Sequence, residues 1–167
     1  EIGVRLVGSE MCIRDRSRIR SEDGLTIIPE KSIDELNLNE YDSLLLPGAI
    51  DIREAIEDNA ILDFIKKFEG MPIGAISIAP LLLLKAGLLE GKPFMAGVNP
   101  EDLFEEGYTT DDLALMIGWD ASLENPIPEG YIQSESIVTS VSYNFVRWAL
   151  AFGKMLGIDL PPKTFGL

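Results

Sequence analysis

Ser77 is the residue best placed to do chemistry in this sequence. Pro72 to Ile76 reads as a short buried strand and Ala79 to Gly87 as a helix, so a hydroxyl falls at the turn between them. Strand, sharp turn and helix with a hydroxyl at the turn is the geometry of a nucleophile elbow. A serine must lose its proton as it attacks, which calls for a base. The chain of 167 residues has no histidine and a single cysteine, Cys12. Ser-His and Cys-His pairs, imidazole-based metal sites and an internal disulfide framework are thereby excluded. Two readings of Ser77 stay open. It is a nucleophile or ligand anchor, or it is a small residue kept because only small side chains fit a sharp turn.

Around this turn the sequence lays out alternating strands and helices. Gly24 to Pro29 is a short strand, and Ser32-Ile33-Asp34-Glu35 has the S-x-x-E pattern that caps a helical turn. Tyr41 to Leu46 enters an apolar run of the kind buried on both faces of a parallel sheet, ending in Pro47-Gly48-Ala49. Asp51 to Gly70 reads as one long helix with Ile56, Ile61, Leu62, Ile65 and Phe68 at helical spacing. Pro93 to Val98 is a further strand, and Asn99-Pro100 opens a helix closed by Gly107, which makes Asn99 either an N-cap or a site residue, or both. Tyr108 to Gly130 is polar and irregular, with one possible helical turn at Asp111 to Ile117. Tyr131 to Thr139 reads as a strand pair. Ser142 to Leu156 closes the chain as a helix with Phe145, Trp148, Ala149, Phe152 and Leu156 on its apolar side.

Composition narrows the partners. With 46% hydrophobic residues the chain can bury a core, and its 28 acidic against 14 basic residues give a net charge of −14. Such a charge repels nucleic acid and anionic membrane surfaces. The longest apolar runs, such as Ile78 to Leu84, fall far short of the roughly 20 residues that span a bilayer, and a cytoplasmic location is expected. The acidic pairs Glu105-Glu106 and Asp111-Asp112 lack EF-hand spacing and read as solvated surface, so no metal and no cofactor are expected.

Leu6 to Asp15 resembles the translation of a transposase-type sequencing adapter, codon for codon. Residues 1–16 are accordingly expected to be foreign to the fold and 17–167 to form a single domain incomplete at its start. Cys12 then drops out of the chemistry. Removing residues 1–16 takes three acidic and three basic residues, so the net charge stays at −14.

Four stretches taken together, YDSLLLPGA at Tyr41 to Ala49, GAISIAP at Gly74 to Pro80, AGVNP at Ala96 to Pro100 and SIVTS at Ser136 to Ser140, resemble the ThiJ/PfpI family. The resemblance implies an α/β fold, a flavodoxin-like three-layer sandwich with a mostly parallel sheet, related to class I glutamine amidotransferases. It implies that the family's elbow cysteine is replaced by Ser77 and the following glycine by Ala79, and that the family's histidine-proline pair corresponds to Asn99-Pro100. The oxyanion-side turn becomes Pro47-Gly48-Ala49, with Gly48, Ala49, Ile78 and Asn99 as pocket residues around Ser77. The family's pocket glutamate would lie before Ser17.

By this resemblance the chain is expected to bind a small polar metabolite, or to act in regulation or stress response, without cysteine catalysis. The alternatives are a serine-dependent amidase, esterase or glyoxalase-like enzyme using Ser77, and a chaperone-like interaction protein. Family analogy suggests a homodimer. Tyr108, Trp119 and Tyr143 are candidates for the pocket mouth. Trp148 and Phe152, four apart, are expected in the core or at a dimer contact. A fragment without its first strand is expected either to press residues 1–8 into the vacant position or to leave residues 1–16 loosely attached.

Overall fold

The computed structural model describes residues 19–20 and 24–167. Residues 1–16, and with them the expected replacement of a vacant strand, lie outside the described residues. Among the described residues, strands and helices follow in the order β1 (Ile19–Arg20), β2 (Thr26–Ile27), β3 (Leu44–Leu46), α1 (Arg53–Glu57), α2 (Asn59–Lys66), β4 (Ile73–Ile76), α3 (Pro80–Lys85), β5 (Phe94–Met95), β6 (Met116–Ile117), α4 (Trp119–Glu124), β7 (Ile132–Ser134), β8 (Ile137–Ser140) and α5 (Phe145–Met155). Short 3-10 segments, the longest Pro100–Glu106, join several of them.

A four-stranded sheet in the order β3-β4-β8-β7 forms the centre. β3 and β8 both run parallel to β4, with Leu46 beside Ala75 and Ser140 beside Ile76, while β7 pairs antiparallel with β8. β4 is apolar at every position because both of its faces are covered. Its side chains alternate with the period of two that a strand imposes. Ile73 and Ala75 join a large cluster with Ile56, Ile65, Leu81 and Leu83, whereas Ile76 joins Val138, Trp148 and Phe152 on the opposite face. The sheet is thus the middle layer, with α1, α2 and α3 on one side and α5 on the other.

Gly74 explains how closely α5 approaches. A Cβ there would stand 3.0 Å from both Trp148 Cζ2 and Phe152 Cδ2, whose rings stack at 6.2 Å between centroids. The Trp148 indole N–H donates to the Val138 carbonyl at 3.1 Å, so the polar edge of a buried ring is satisfied. Truncating Phe152 would cost about 3–5 kcal/mol, the usual figure for a core aromatic.

β5 reaches the sheet by side chains. Its backbone pairs with β6, while the Met95 N–H donates to Thr139 Oγ1 at 3.0 Å and Ser134 Oγ donates to the Pro93 carbonyl at 2.6 Å. Hydroxyls of β7 and β8 thereby replace rungs of a regular ladder.

Four expectations need correction. The helix read over Asp51 to Gly70 is two helices, broken at Asp58, whose carboxylate accepts from the Ala60 N–H at 2.9 Å and so caps α2 instead of continuing α1. The strand read over Pro93 to Val98 is confined to Phe94–Met95. The stretch Tyr108 to Gly130 holds β6 and α4, and Asp111 to Leu115 forms turns rather than a helix. On α5 the buried residues are Trp148, Ala151 and Phe152, while Phe145 and Ala149 face solvent.

Candidate functional site

β4 ends at Ile76, and the chain turns into α3 through Ser77, Ile78 and Ala79. Ser77 has φ 62°, a left-handed conformation that costs a non-glycine residue of order 1 kcal/mol or more. Three neighbours fix it there. The Ser77 N–H donates to the Ser140 carbonyl at 2.9 Å, the Gly97 N–H donates to the Ser77 carbonyl at 2.7 Å, and the Ala79 N–H closes the turn onto the Ile76 carbonyl at 3.2 Å.

Two glycines supply the space. A Cβ on Gly48 would lie 2.5 Å from Ser77 Cβ and 3.0 Å from Ser77 Oγ. A Cβ on Gly97 would lie 3.1 Å from Ser77 Cα and 3.3 Å from Ser77 Oγ. The backbones of the turn after β3 and of the segment after β5 therefore press directly on Ser77, at the carboxyl ends of parallel strands, where open α/β sheets bind ligands. Among the described residues, neither the Gly48 N–H nor the Ile78 N–H donates to a protein acceptor. Likewise, no side chain among the described residues hydrogen-bonds Ser77 Oγ. Free donors beside a half-buried hydroxyl can hold a carbonyl oxygen or an oxyanion.

The remaining candidates differ in what holds their side chains. Ala49 and Ile78 are partly buried and pack their side chains on the larger core cluster, so what Ile78 offers the site is its backbone. Asn99 occupies the N-cap position of the turn Pro100–Glu106 but makes no side-chain cap bond there. Instead its Nδ2 donates to Asp120 Oδ2 and its Oδ1 accepts from the Asp120 N–H, both at 2.9 Å. The expected N-cap is thus spent on another helix, α4, because Gly118 at that helix's own cap has no side chain to offer.

Of the three aromatic candidates for the mouth, Trp119 and Tyr143 meet edge to face at 5.2 Å, and the Tyr143 hydroxyl lies 2.8 Å from Ser122 Oγ. Tyr108 is buried instead, with Lys85 Nζ 4.3 Å from its ring centroid, and burial pushes its hydroxyl above the ordinary phenol range. The acidic pair Asp111-Asp112 is divided in role. Asp112 accepts from the Thr109 hydroxyl and N–H, which hold its carboxyl below the usual range. Gly97 and Ser140, which lie in the AGVNP and SIVTS stretches but do not stand out there as site residues, both bond the Ser77 backbone. The A-G pair before Val98 was the one available signal, since a glycine closing a strand marks close backbone approach.

An α/β sandwich with a left-handed residue at a strand-to-helix elbow, ringed by glycine backbones, defines a class of protein. Within that class the DJ-1/PfpI family profile matches residues 1–153, and the chain belongs to the DJ-1/PfpI family. Among characterised relatives it is 32% identical to Deglycase TK1284 of Thermococcus kodakarensis over 90 residues, covering 52% of this chain and 54% of that protein. It is 37% identical to protein/nucleic acid deglycase 2 of Escherichia coli over 79 residues, covering 46% of this chain and 45% of that protein. These alignments span about half the length of the relatives. In three dimensions it resembles the DJ-1 superfamily protein Atu0886 of Agrobacterium tumefaciens, with a TM-score of 0.69 at 20% identity over 91% of this chain and 76% of that one. That likeness shows the fold. Among the described residues no helix is long and apolar enough to cross a membrane.

Proposed function

We propose that the chain binds a small neutral carbonyl compound at Ser77, through the Gly48 and Ile78 N–H groups, and does so without cysteine catalysis. The observation that carries this reading is that, among the described residues, the Gly48 and Ile78 N–H groups meet no acceptor and no side chain hydrogen-bonds Ser77 Oγ. Binding a carbonyl oxygen needs only hydrogen-bond donors, whereas attack by serine needs a base, and no side chain among the described residues hydrogen-bonds Ser77 Oγ. The reading takes Ser77 and Asn99 as standing where the family carries cysteine and histidine. The net charge of −14 favours neutral ligands over carboxylates, because the field of the whole chain opposes an approaching anion.

The second reading is an enzyme of the deglycase or glyoxalase-like kind using Ser77, and it is favoured by the relatives named deglycases. Turnover separates the two. The experiment incubates the full chain and Ser77→Ala with methylglyoxal and follows loss of the aldehyde, alongside the melting temperature with hydroxyacetone, a neutral ketone. The binding reading expects no turnover, and a rise in melting temperature that Ser77→Ala reduces; saturation at a hundred times Kd would add about 2.7 kcal/mol. Turnover abolished by Ser77→Ala would establish the enzyme. A homodimer built from residues 17–167 as the folded unit, located in the cytoplasm, completes the proposal, and light scattering tests the dimer.

A further inference from the structure

α4 is a six-residue helix whose one buried residue is a serine, Ser122. A helix this short does not persist alone, and it has almost no apolar face to dock it. Its position is set by polar contacts to two segments that also hold the elbow. At its start, the Trp119 N–H donates to the Val98 carbonyl at 3.1 Å, and Asn99 exchanges two hydrogen bonds of 2.9 Å with Asp120. Gly118 permits that approach, since a Cβ there would sit 2.8 Å from the Val98 oxygen and 3.2 Å from Asn99 Cα. On the other side, Trp119 meets Tyr143 at 5.2 Å and Ser122 meets the Tyr143 hydroxyl at 2.8 Å.

These contacts close a circuit on Ser77. Gly97, two residues before Asn99, donates to the Ser77 carbonyl, and Ser140, three residues before Tyr143, accepts from the Ser77 N–H. We infer that Asn99 is a positioning residue: through its reciprocal pair with Asp120 it latches α4, and the Trp119–Tyr143 contact that α4 carries, to the two segments that hold the Ser77 elbow. The inference rests on Ser77 being the site only in its final link; the latch itself requires no ligand. The pair works by shape rather than charge, because an amide at position 120 keeps both the backbone donor and a side-chain oxygen.

The test uses the full chain labelled with 5-fluorotryptophan, in which Trp119 and Trp148 give separate fluorine resonances and Trp148, in the core, serves as the internal control. Asn99→Ala is expected to shift or broaden the Trp119 resonance, leave Trp148 in place, and speed amide exchange at Ser122 and Asn125 at least tenfold. Asp120→Asn is expected to stay close to the parent chain in both readouts. In a Cys12→Ser, Ser77→Cys background, adding Asn99→Ala is expected to change the rate of iodoacetamide alkylation at position 77 several-fold. An unmoved Trp119 resonance with unchanged exchange in Asn99→Ala would overturn the latch, as would an Asp120→Asn chain as loose as Asn99→Ala. A loosened α4 with alkylation at the parent rate would overturn its connection to the elbow. None of these readouts needs a ligand, so a failure of the binding proposal leaves them fully interpretable.

Discussion

Gly48 and Ser77 are locked together by the absence of a side chain: a Cβ on Gly48 would stand 2.5 Å from Ser77 Cβ. Real Cβ atoms do not approach so closely, so Gly48→Ala must displace either the turn after β3 or the elbow. We expect Gly48→Ala to lower stability by about 1–3 kcal/mol, the range for inserting a methyl into a packed site. Gly97→Ala, with its nearest contact at 3.1 Å, should cost less. Urea unfolding of both variants checks the order, and equal midpoints with the parent would remove the collar from the account.

Ser77 itself carries backbone strain at φ 62°. Ser77→Gly relieves that strain but adds freedom to the unfolded chain, and the two effects nearly offset. The expected result is a stability within about 1 kcal/mol of the parent. Ser77→Val puts a β-branched side chain in the same left-handed position against Gly48 and should be lower by more than that. Thermal unfolding of the pair reads the difference directly.

Thr139 replaces a ladder rung with its hydroxyl, accepting from the Met95 N–H at 3.0 Å in a buried setting. Thr139→Val keeps the shape and leaves that N–H without an acceptor, a loss of about 1–3 kcal/mol. Denaturant unfolding measures the loss. Amide exchange at Met95 should quicken more than at Val138, which lies in the regular ladder.

Asp51 is held down to about 2 from its ordinary 3.8, first by the side-chain hydrogen bond from Arg53 and then by the Arg53 backbone N–H. A depressed carboxyl pKa contributes stability above its unfolded value and loses it as pH falls through the folded one. The contribution is therefore present above about pH 4 and lost on descending toward pH 2. Carbon-detected titration should place the Asp51 midpoint near 2, and Arg53→Ala should return it toward 3.8. The pair is exposed, so added salt weakens the shift.

How much of this could be read beforehand differs from element to element, for physical reasons. Pro72 to Ile76 was legible as a short buried strand because burial on both faces leaves an unbroken apolar run, whereas the spacing of Trp148 and Phe152 left core and dimer contact open, and the structure buries both against β4 and β8. The strand pair read over Tyr131 to Thr139 is the antiparallel pair β7 and β8, although β8 is buried at every position and carries no alternating pattern. Asp58 hid the break between α1 and α2, since its apolar neighbours keep helical spacing straight through a capping aspartate. α4 was hidden more deeply, because the side chain that caps it, Asn99, lies 21 residues before its partner Asp120. At the site, the elbow and Gly48 were visible as motif, whereas Ser140 acts through a backbone carbonyl that any residue carries, and Gly97 gave only the weak signal of a glycine near a strand end.

In the proposed binding mode a carbonyl ligand sits on the Gly48 and Ile78 N–H groups beside Ser77. That mode is tested most directly by following the backbone amide resonances of the full chain during titration with hydroxyacetone, using pyruvate as the anionic comparator. Saturable shifts are expected, concentrated at Gly48, Ser77 and Ile78 and stronger for the neutral ketone, with the ketone recovered unchanged. Saturable shifts elsewhere on the chain, with Gly48 and Ile78 unmoved, would contradict it.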